Sequence, residues 1–242
     1  MDTITRIPVI YIPNSDADLN NMKFAFQPIF DVRTGDIYGH EALMRPEGCT
    51  PLELISAYEK AGRLDKIEET TIYYGTKAFM EAELDGYLFL NSIPETCMSE
   101  EMAIATSELG GSEMADRFYI EMLEYTKHSA KAWDLKKKAI IEAGAMPHLA
   151  IDDFGTGENI DLVCINTYNP DLIKIDRKYI TNIDTDPINQ MIFDNMIKNI
   201  HKRGIQVLAE GVETKEEYLY LMHTDVDYMQ GYYLGKPKIY SK

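Results

Sequence analysis

The stretch Tyr87-Leu88-Phe89-Leu90-Asn91 decides the fold of this sequence, because four consecutive apolar residues precede a polar one. A strand with one face in water alternates apolar and polar residues, whereas a strand buried on both faces of a parallel sheet is apolar throughout. The stretch Leu172-Ile173-Lys174-Ile175 has the same character around a single lysine. Both stretches therefore predict strands of a parallel sheet that is covered on both sides.

Eight apolar runs follow one another along the chain, and longer amphipathic stretches separate them. The runs are 24–30, 37–44, 87–93, 118–123, 147–151, 172–175, 205–209 and 228–234. Alternation of strands and helices indicates an α/β domain. The 242 residues would allow two small domains, but no linker or repeat divides them. We expect one TIM-like (β/α)8 barrel over 23–242, after an N-terminal extension over 1–22.

Capping residues mark the predicted helices. Thr50 with Glu53, and Thr214 with Glu217, have capping-box spacing, and Asp186-Pro187 begins another helix. The apolar residues of that helix stand at steps of four, and they are Ile188, Ile192, Met196 and Ile200. A helix over 129–143 ends at Gly144, while 110–112 predicts a flexible loop and 158–169 a short or irregular element.

The composition excludes several classes of protein. With a formal net charge of −16 and no basic cluster longer than Lys136-Lys137-Lys138, the chain is unsuited to duplex nucleic acid. No apolar run approaches the roughly 18 residues of a membrane span, and the first residues do not resemble a signal peptide. The 3 cysteines are odd in number and lack metal-site spacing, which fits a reducing compartment. We therefore expect a cytoplasmic protein.

Polar residues recur where the predicted strands end. From the second run to the eighth they are Glu41, Asn91, Glu121 with Glu124, Asp152 with Asp153, Lys174, Glu210 and Gln230. Strand ends converge on one face of a barrel, and active sites are built there. So many acids in one place repel each other unless cations intervene. Oxygen ligands of this kind suit Mg²⁺ or Mn²⁺, and a two-metal pair suits phosphoryl transfer.

Each of these residues has a simpler interpretation when taken alone. Asp152-Asp153 resembles a strand terminator with an Asx turn, and Lys174 resembles the charge of an edge strand. Glu121 and Glu124 resemble one strand acid and one solvated loop acid. The regular recurrence, with one polar position on each strand, favours a shared site. His40 is beside Glu41 and should point to the opposite side of its strand.

Several motifs together resemble those of EAL-domain cyclic di-GMP phosphodiesterases. In chain order they are Gln27-Pro28-Ile29, Glu41-Ala42-Leu43-Met44-Arg45, Asn91-Ser92-Ile93-Pro94, Glu121-Met122-Leu123-Glu124, Asp152-Asp153-Phe154-Gly155-Thr156-Gly157, Lys174-Ile175-Asp176, Glu210-Gly211-Val212-Glu213-Thr214 and Gln230-Gly231-Tyr232. A tripeptide such as Glu41-Ala42-Leu43 arises by chance, but the ordered set is specific. The resemblance covers residues 23 to 240.

The resemblance implies a barrel whose first strand is antiparallel to the others, and hydrolysis of cyclic di-GMP to linear pGpG with two Mg²⁺ or Mn²⁺ ions. It also implies a homodimer. The implied ligands of the first metal are Glu41, Asn91, Glu121 and Asp152. The implied surroundings of the second metal and its water are Asp152, Asp153 and Glu210.

The resemblance also implies roles in catalysis and substrate binding. Lys174 holds the nucleophilic water, Glu210 is the general base, and Glu41 is the third residue expected to be catalytic. The implied substrate contacts are Gln27, Arg45 and Gln230, and Glu124 braces the loop after Asp153. A guanidinium such as that of Arg45 can grip a phosphate through paired hydrogen bonds.

Two departures concern the loop that follows Asp153. The family usually has Tyr-Ser-Ser-Leu after the glycine, whereas this chain has Glu158-Asn159-Ile160-Asp161. The middle of Glu121-Met122-Leu123-Glu124 lacks the common Thr or Ser. The main alternative is therefore a receptor or scaffold that does not cleave cyclic di-GMP. A different metal-dependent barrel enzyme, one that enolises a carbonyl substrate, is a third hypothesis.

Overall fold

The structure is a computed structural model that describes residues 19, 21–93, 96, 99–122, 130–142, 144, 146–155, 165–166 and 168–240. In the predicted N-terminal extension, Leu19 packs into the core with 2% of its surface exposed. Glu124 and most of the predicted irregular element 158–169 lie outside the described residues. No helix of the described ranges is long and apolar enough to cross a membrane.

Eight strands form a closed barrel in chain order. The strands are β1 (Lys23–Asp31), β2 (Ile37–Arg45), β3 (Tyr87–Ser92), β4 (Phe118–Met122), β5 (His148–Phe154), β6 (Leu172–Ile175), β7 (Gln206–Ala209) and β8 (Tyr228–Met229). β1 is antiparallel to both of its neighbours, β2 and β8, and every other pair is parallel. The predicted TIM-like barrel with an antiparallel first strand is confirmed.

Helices surround the barrel, and those at 51–60, 130–142, 187–201 and 215–221 lie where the sequence predicts them. They are α1 (Pro51–Lys60), α2 (Leu64–Glu69), α3 (Gly75–Glu81), α4 (Glu100–Met114), α5 (Ala130–Glu142), α6 (Pro187–His201) and α7 (Lys215–Leu221). A π-helical turn, Thr70–Tyr74, joins α2 to α3, and a 3₁₀ turn, Arg177–Tyr179, follows β6. Thr50 and Thr214 form the predicted capping boxes, and Asp186 caps α6.

The barrel interior begins with an apolar layer near the amino-terminal ends of the parallel strands. Its buried members are Ile29, Phe89, Tyr119, Ala150, Leu172, Leu208 and Tyr228, with Tyr38 and Tyr87 packed against them. The rings of Phe89 and Tyr119 stack with their centroids 4.3 Å apart. Because strand side chains alternate, the next inward position on each strand is two residues away. That spacing sets the level of the functional site.

Three expectations about these elements were wrong. The predicted loop 110–112 lies within α4, and Gly111 kinks that helix with a φ of 57°. The eighth strand ends at Met229 rather than at Leu234, because a turn begins at Gly231. The Gly231 carbonyl accepts from Leu234 N and Gly235 N, and a side chain at Gly231 would collide with the Val212 backbone.

Ile188 of α6 is 66% exposed although it begins the predicted apolar stripe, while Phe193, Ile197 and Ile200 are buried. Steps of four residues advance by about 40° around a helix of 3.6 residues per turn, so a stripe of four such residues rotates away from the core.

Candidate metal centre at the mouth of the barrel

The predicted polar residues meet inside the carboxyl-terminal mouth of the barrel and form a polar layer above the apolar one. Its members are Gln27 on β1, Glu41 on β2, Asn91 on β3, Glu121 on β4, Asp152 on β5, Lys174 on β6, Glu210 after β7 and Gln230 after β8. The strand period places them there, since each except Glu41 is two residues from a residue of the apolar layer. Glu41 is opposite Phe89, a residue of the apolar layer, in the β2–β3 pair. His40 is on the outer side of β2, near the ring of Phe79.

Lys174 is at the centre of the polar layer and is 1% exposed. Its Nζ atom is 2.7 Å from Glu121 Oε1, 2.7 Å from Glu210 Oε1, 2.9 Å from Asp152 Oδ1 and 3.7 Å from Glu41 Oε2. The alternative that Lys174 is an edge-strand charge is wrong, because a closed barrel has no edge. One ammonium group is thus shared by four carboxylates from four different strands.

The excess of negative charge changes the pKa values in this layer. Burial, together with the nearby Glu41 and Asp152, raises the pKa of Glu121 well above its usual range although Lys174 opposes this. Burial and the same two acids raise the pKa of Glu210 to about 8. Burial lowers the pKa of Lys174, but the surrounding carboxylates outweigh it and raise the pKa overall. One ammonium does not neutralise this site, so additional positive charge is favoured.

Two amide side chains bind the carboxylate of Glu41. Asn91 Nδ2 donates to Glu41 Oε1 at 3.2 Å, and Gln230 Nε2 donates to Glu41 Oε2 at 2.7 Å. Glu121 Oε2 and Gln230 Oε1 are buried acceptors without a hydrogen-bond donor among the described residues. Buried polar atoms are almost always paired, so an exception indicates an ion, water or ligand. This set of buried oxygen atoms fits a hard divalent cation.

A second group of carboxylates adjoins the first. Asp152, Asp153 and Glu210 each offer an oxygen atom, and these atoms lie within 4.8 Å of one another. Asp153 has a φ of 50°, and the pairing of β5 with β6 shifts register between Ile151 and Phe154. A bulge of this kind lets adjacent residues face the same side of a strand. The two aspartates lie within β5, not after it, so the interpretation as a strand terminator is wrong.

Of the three residues predicted to contact substrate, two lie in the polar layer and one lies at the rim of the mouth. Gln27 is opposite Glu41 in the β1–β2 pair, and its Nε2 donates to Gly235 O at 3.1 Å. Arg45 ends β2 at the rim of the mouth, half-buried, and its Nη1 donates to Met44 O at 3.0 Å. The structure thus brings Gln27 and Gln230 into the polar layer and leaves Arg45 at its edge. Their roles remain predictions, as does that of Glu124.

Sequence reasoning missed two residues that hold the end of β5. Lys178 Nζ and Tyr179 Oη both donate to Gly155 O, the latter at 3.0 Å. Gly155 has a φ of 97°, and a side chain there would collide with the Tyr179 ring. The only signal in the sequence is that Asp176 caps the turn carrying both residues. They anchor the backbone two residues after Asp153.

Together, the fold and the site define a TIM-like barrel with an acidic candidate metal centre at its mouth. The model of the EAL domain family matches residues 14–237, and the chain belongs to this family. The resemblance identified from the ordered motifs is therefore confirmed. Family membership also removes the main reason for considering a carbonyl-enolising barrel.

Named relatives and solved structures agree with this assignment. The chain is 29% identical over 228 residues to the probable cyclic di-GMP phosphodiesterase PdeN of Escherichia coli, covering 88% of this chain but only 43% of PdeN. A standalone EAL protein of Vibrio cholerae, in a cyclic di-GMP-bound form, is 27% identical with a TM-score of 0.75, covering 91% of this chain and 94% of that one. BlrP1 of Klebsiella pneumoniae, in a manganese and cyclic di-GMP complex, is 26% identical with a TM-score of 0.75. The match covers 94% of this chain and 57% of the BlrP1 chain.

Proposed function

We propose that this chain hydrolyses one phosphodiester bond of cyclic di-GMP to give linear pGpG, with two Mg²⁺ or Mn²⁺ ions held in the polar layer. The observation that carries the proposal is the set of four carboxylates within 4 Å of Lys174 Nζ, with Asp153 beside two of them. The names of PdeN and of the BlrP1 complex support the substrate and the use of a metal.

In this proposal the ligands divide into two groups that share Asp152. The first cation would be held by Glu41, Asn91, Glu121 and Asp152, and the second by Asp152, Asp153 and Glu210. The shared carboxylate is supported by the position of Asp152, which is 2.9 Å from Lys174 and also belongs to the group with Asp153 and Glu210. When bound, such cations lower the pKa of a coordinated water and offset the charge of the phosphate.

In this proposal, side chains of the polar layer orient the nucleophilic water and accept its proton. Lys174, whose pKa is raised, stays an ammonium. Its three N–H groups face Glu121, Asp152 and Glu210, and one of them would turn to the nucleophilic water when cations bind these carboxylates. Glu210, whose carboxylate is 2.7 Å from Lys174 Nζ, accepts a proton from that water. The water oxygen bonds to phosphorus, one ester bond to a sugar 3′ oxygen breaks, and that oxygen takes up a proton. Gln27, Arg45 and Gln230 contact the substrate around the reacting phosphate.

The test is incubation of the metal-free chain with cyclic di-GMP, before and after addition of Mg²⁺ or Mn²⁺. We expect pGpG only after the metal is added. Glu41→Gln should prevent its formation, while Asp171→Asn, at the opposite end of the barrel, should not. Asp171 is a suitable control because its carboxylate accepts from Leu149 N, remote from the polar layer. Tight binding of cyclic di-GMP without product would instead indicate a receptor.

We also propose, from the resemblance alone, that the domain acts as a homodimer in the cytoplasm. Light scattering at micromolar concentration should give twice the mass of 27.7 kDa. A mass of one chain at these concentrations would contradict the dimer.

A further inference from the structure

A buried ion pair outside the barrel lies directly behind the candidate metal ligand Asn91. Glu68 belongs to α2 and Lys136 to α5, and their side chains are 0% and 4% exposed. Lys136 Nζ is 2.6 Å from Glu68 Oε1. A buried ion pair rarely stabilises a fold unless further hydrogen bonds satisfy both charged groups. The residues that supply these further hydrogen bonds therefore indicate what the pair does.

Within the described part of the chain, every further side-chain hydrogen bond of the pair goes to the end of β3. Lys136 Nζ also donates to Ser92 Oγ at 2.6 Å and to Ile93 O at 2.7 Å, which occupies all three donors of its ammonium. Glu68 accepts from Ser92 Oγ at 2.8 Å and from Ile93 N at 2.8 Å. Helices α2 and α5 are thus both hydrogen-bonded to Ser92 and Ile93.

These two residues immediately follow Asn91. Side chains alternate along a strand, so Ser92 faces the helices while Asn91 faces the barrel interior. A fixed backbone at 92–93 limits where the Asn91 amide can lie, and that amide is 3.2 Å from Glu41. We propose that Glu68 and Lys136 are positioning residues that set Asn91, and through it Glu41, for the first cation. This inference rests on the metal site of the proposed function.

The neighbouring residue Glu69 provides a matched control. It is buried on the same helix and also binds a lysine, since Lys66 Nζ is 2.7 Å from its Oε2. Its other bond, however, is to Ser99 N at 3.3 Å, at the start of α4. The substitutions Glu68→Gln and Glu69→Gln thus each remove one buried charge from adjacent positions, and only the first disturbs the end of β3.

The experiment measures Mn²⁺ affinity by calorimetry, without nucleotide, at equal concentrations of folded protein. Substitution of groups that orient metal ligands costs about 10- to 100-fold in affinity. We expect Glu68→Gln to weaken binding by at least about 10-fold, because a glutamine cannot accept from both Ser92 and Ile93 while facing Lys136. Glu69→Gln should change it by less than about threefold. Wild-type affinity in folded Glu68→Gln would overturn the proposal.

A second variant and a second readout cover the remaining outcomes. Ser92→Ala removes one hydroxyl from the network, so the fold should survive even where Glu68→Gln does not. In the metal-free protein, the NMR signal of the Asn91 side-chain amide should shift in Glu68→Gln and Ser92→Ala but not in Glu69→Gln. An unmoved signal overturns the positioning role. Absence of Mn²⁺ binding in the wild type, with the Asn91 signal shifted as expected, would count against the proposed metal site instead.

Discussion

The two layers of the barrel interior differ sharply although they are only two residues apart on the same strands. On β3 to β6, and on β7 and β8 with the residue that follows each, the pairs are Phe89 and Asn91, Tyr119 and Glu121, Ala150 and Asp152, Leu172 and Lys174, Leu208 and Glu210, and Tyr228 and Gln230. The first member of each pair belongs to the apolar layer. The second belongs to the polar layer, in which the Lys174 ammonium contacts four carboxylates.

The apolar layer contributes to the stability of the barrel, whereas the polar layer contains its candidate functional site. Burial of the apolar layer stabilises the fold. In the polar layer, the pKa values of Glu121 and Glu210 are raised, which means that their ionised forms destabilise the folded chain. A site that costs stability persists only where the rest of the structure supports it. Substitutions in the two layers should therefore have opposite consequences for stability and activity.

The largest expected effect is loss of turnover in Glu210→Gln. Glu210 is the proposed general base, and a positioned base contributes about 10²- to 10⁴-fold. A proposed metal contact would be lost as well, so kcat should fall by at least about 1000-fold. The metal-free variant should unfold at the same temperature as the wild type or higher, since a costly buried acid has been removed. Steady-state kinetics and calorimetry measure both. Activity within tenfold of the wild type would contradict the assignment of the base.

The opposite substitution, Phe89→Ala in the apolar layer, should lower the free energy of unfolding by about 3–5 kcal/mol. Phe89 is fully buried and stacks on Tyr119, so its removal leaves a cavity at the centre of the layer. The folded fraction should retain its Mn²⁺ affinity. Urea denaturation and calorimetry check the two expectations, and loss of metal binding at equal folded fraction would show that the layers are not separable.

The stability of the metal-free protein should fall as the pH rises from about 5 to about 8. Glu210 has a folded-state pKa raised to about 8, so its contribution is present below its unfolded value near 4.5 and is lost as the pH rises through 8. One proton corresponds to at most about 1.4 kcal/mol per pH unit. Lys174 stays charged over this range because its pKa is raised above its usual value, so it adds no slope.

Urea denaturation at several pH values, with chelator present, measures this decline. Glu210→Gln should show a shallower decline than the wild type, with the remainder due to Glu121, whose pKa is also raised. Parallel curves for the two proteins would argue against a protonated Glu210 in the metal-free state.

The smallest expected effect is that of Tyr38→Phe. The hydroxyl oxygens of Tyr38 and Tyr119 are 2.9 Å apart, and such a hydrogen bond contributes about 0.5–1.5 kcal/mol. Chemical denaturation should detect a loss of this size, while kcat and KM for cyclic di-GMP stay unchanged. A changed kcat would mean that the apolar layer influences the chemistry at the mouth.

The sequence predicts the barrel and its polar layer because both follow from local periods. A polar residue two positions beyond an apolar one on each strand is visible without a structure, and the closed sheet brings these residues together. The position of Asp153 is different, because its positive φ depends on the register shift between β5 and β6. The early end of β8 depends on the contact of Gly231 with Val212, which is likewise a tertiary property.

The Glu68–Lys136 pair shows where sequence reasoning stops. Lys136 looks like one of three solvated lysines, yet it is buried while Lys137 and Lys138 are exposed. Its spacing of three from the buried Trp133 places both on the inner side of α5, which was a usable signal. Nothing local links it to Glu68, which is 68 positions away.

The central claim is that the polar layer of this barrel is a two-metal site. The most direct measurement is the number of Mn²⁺ ions bound per folded chain, determined by paramagnetic resonance at pH 8 without nucleotide. Two ions are expected in the wild type, and both should be lost when Asp152, the proposed shared ligand, is replaced in Asp152→Asn. A wild-type chain that binds one Mn²⁺ ion or none at millimolar concentration, with its fold intact, would contradict the two-metal site.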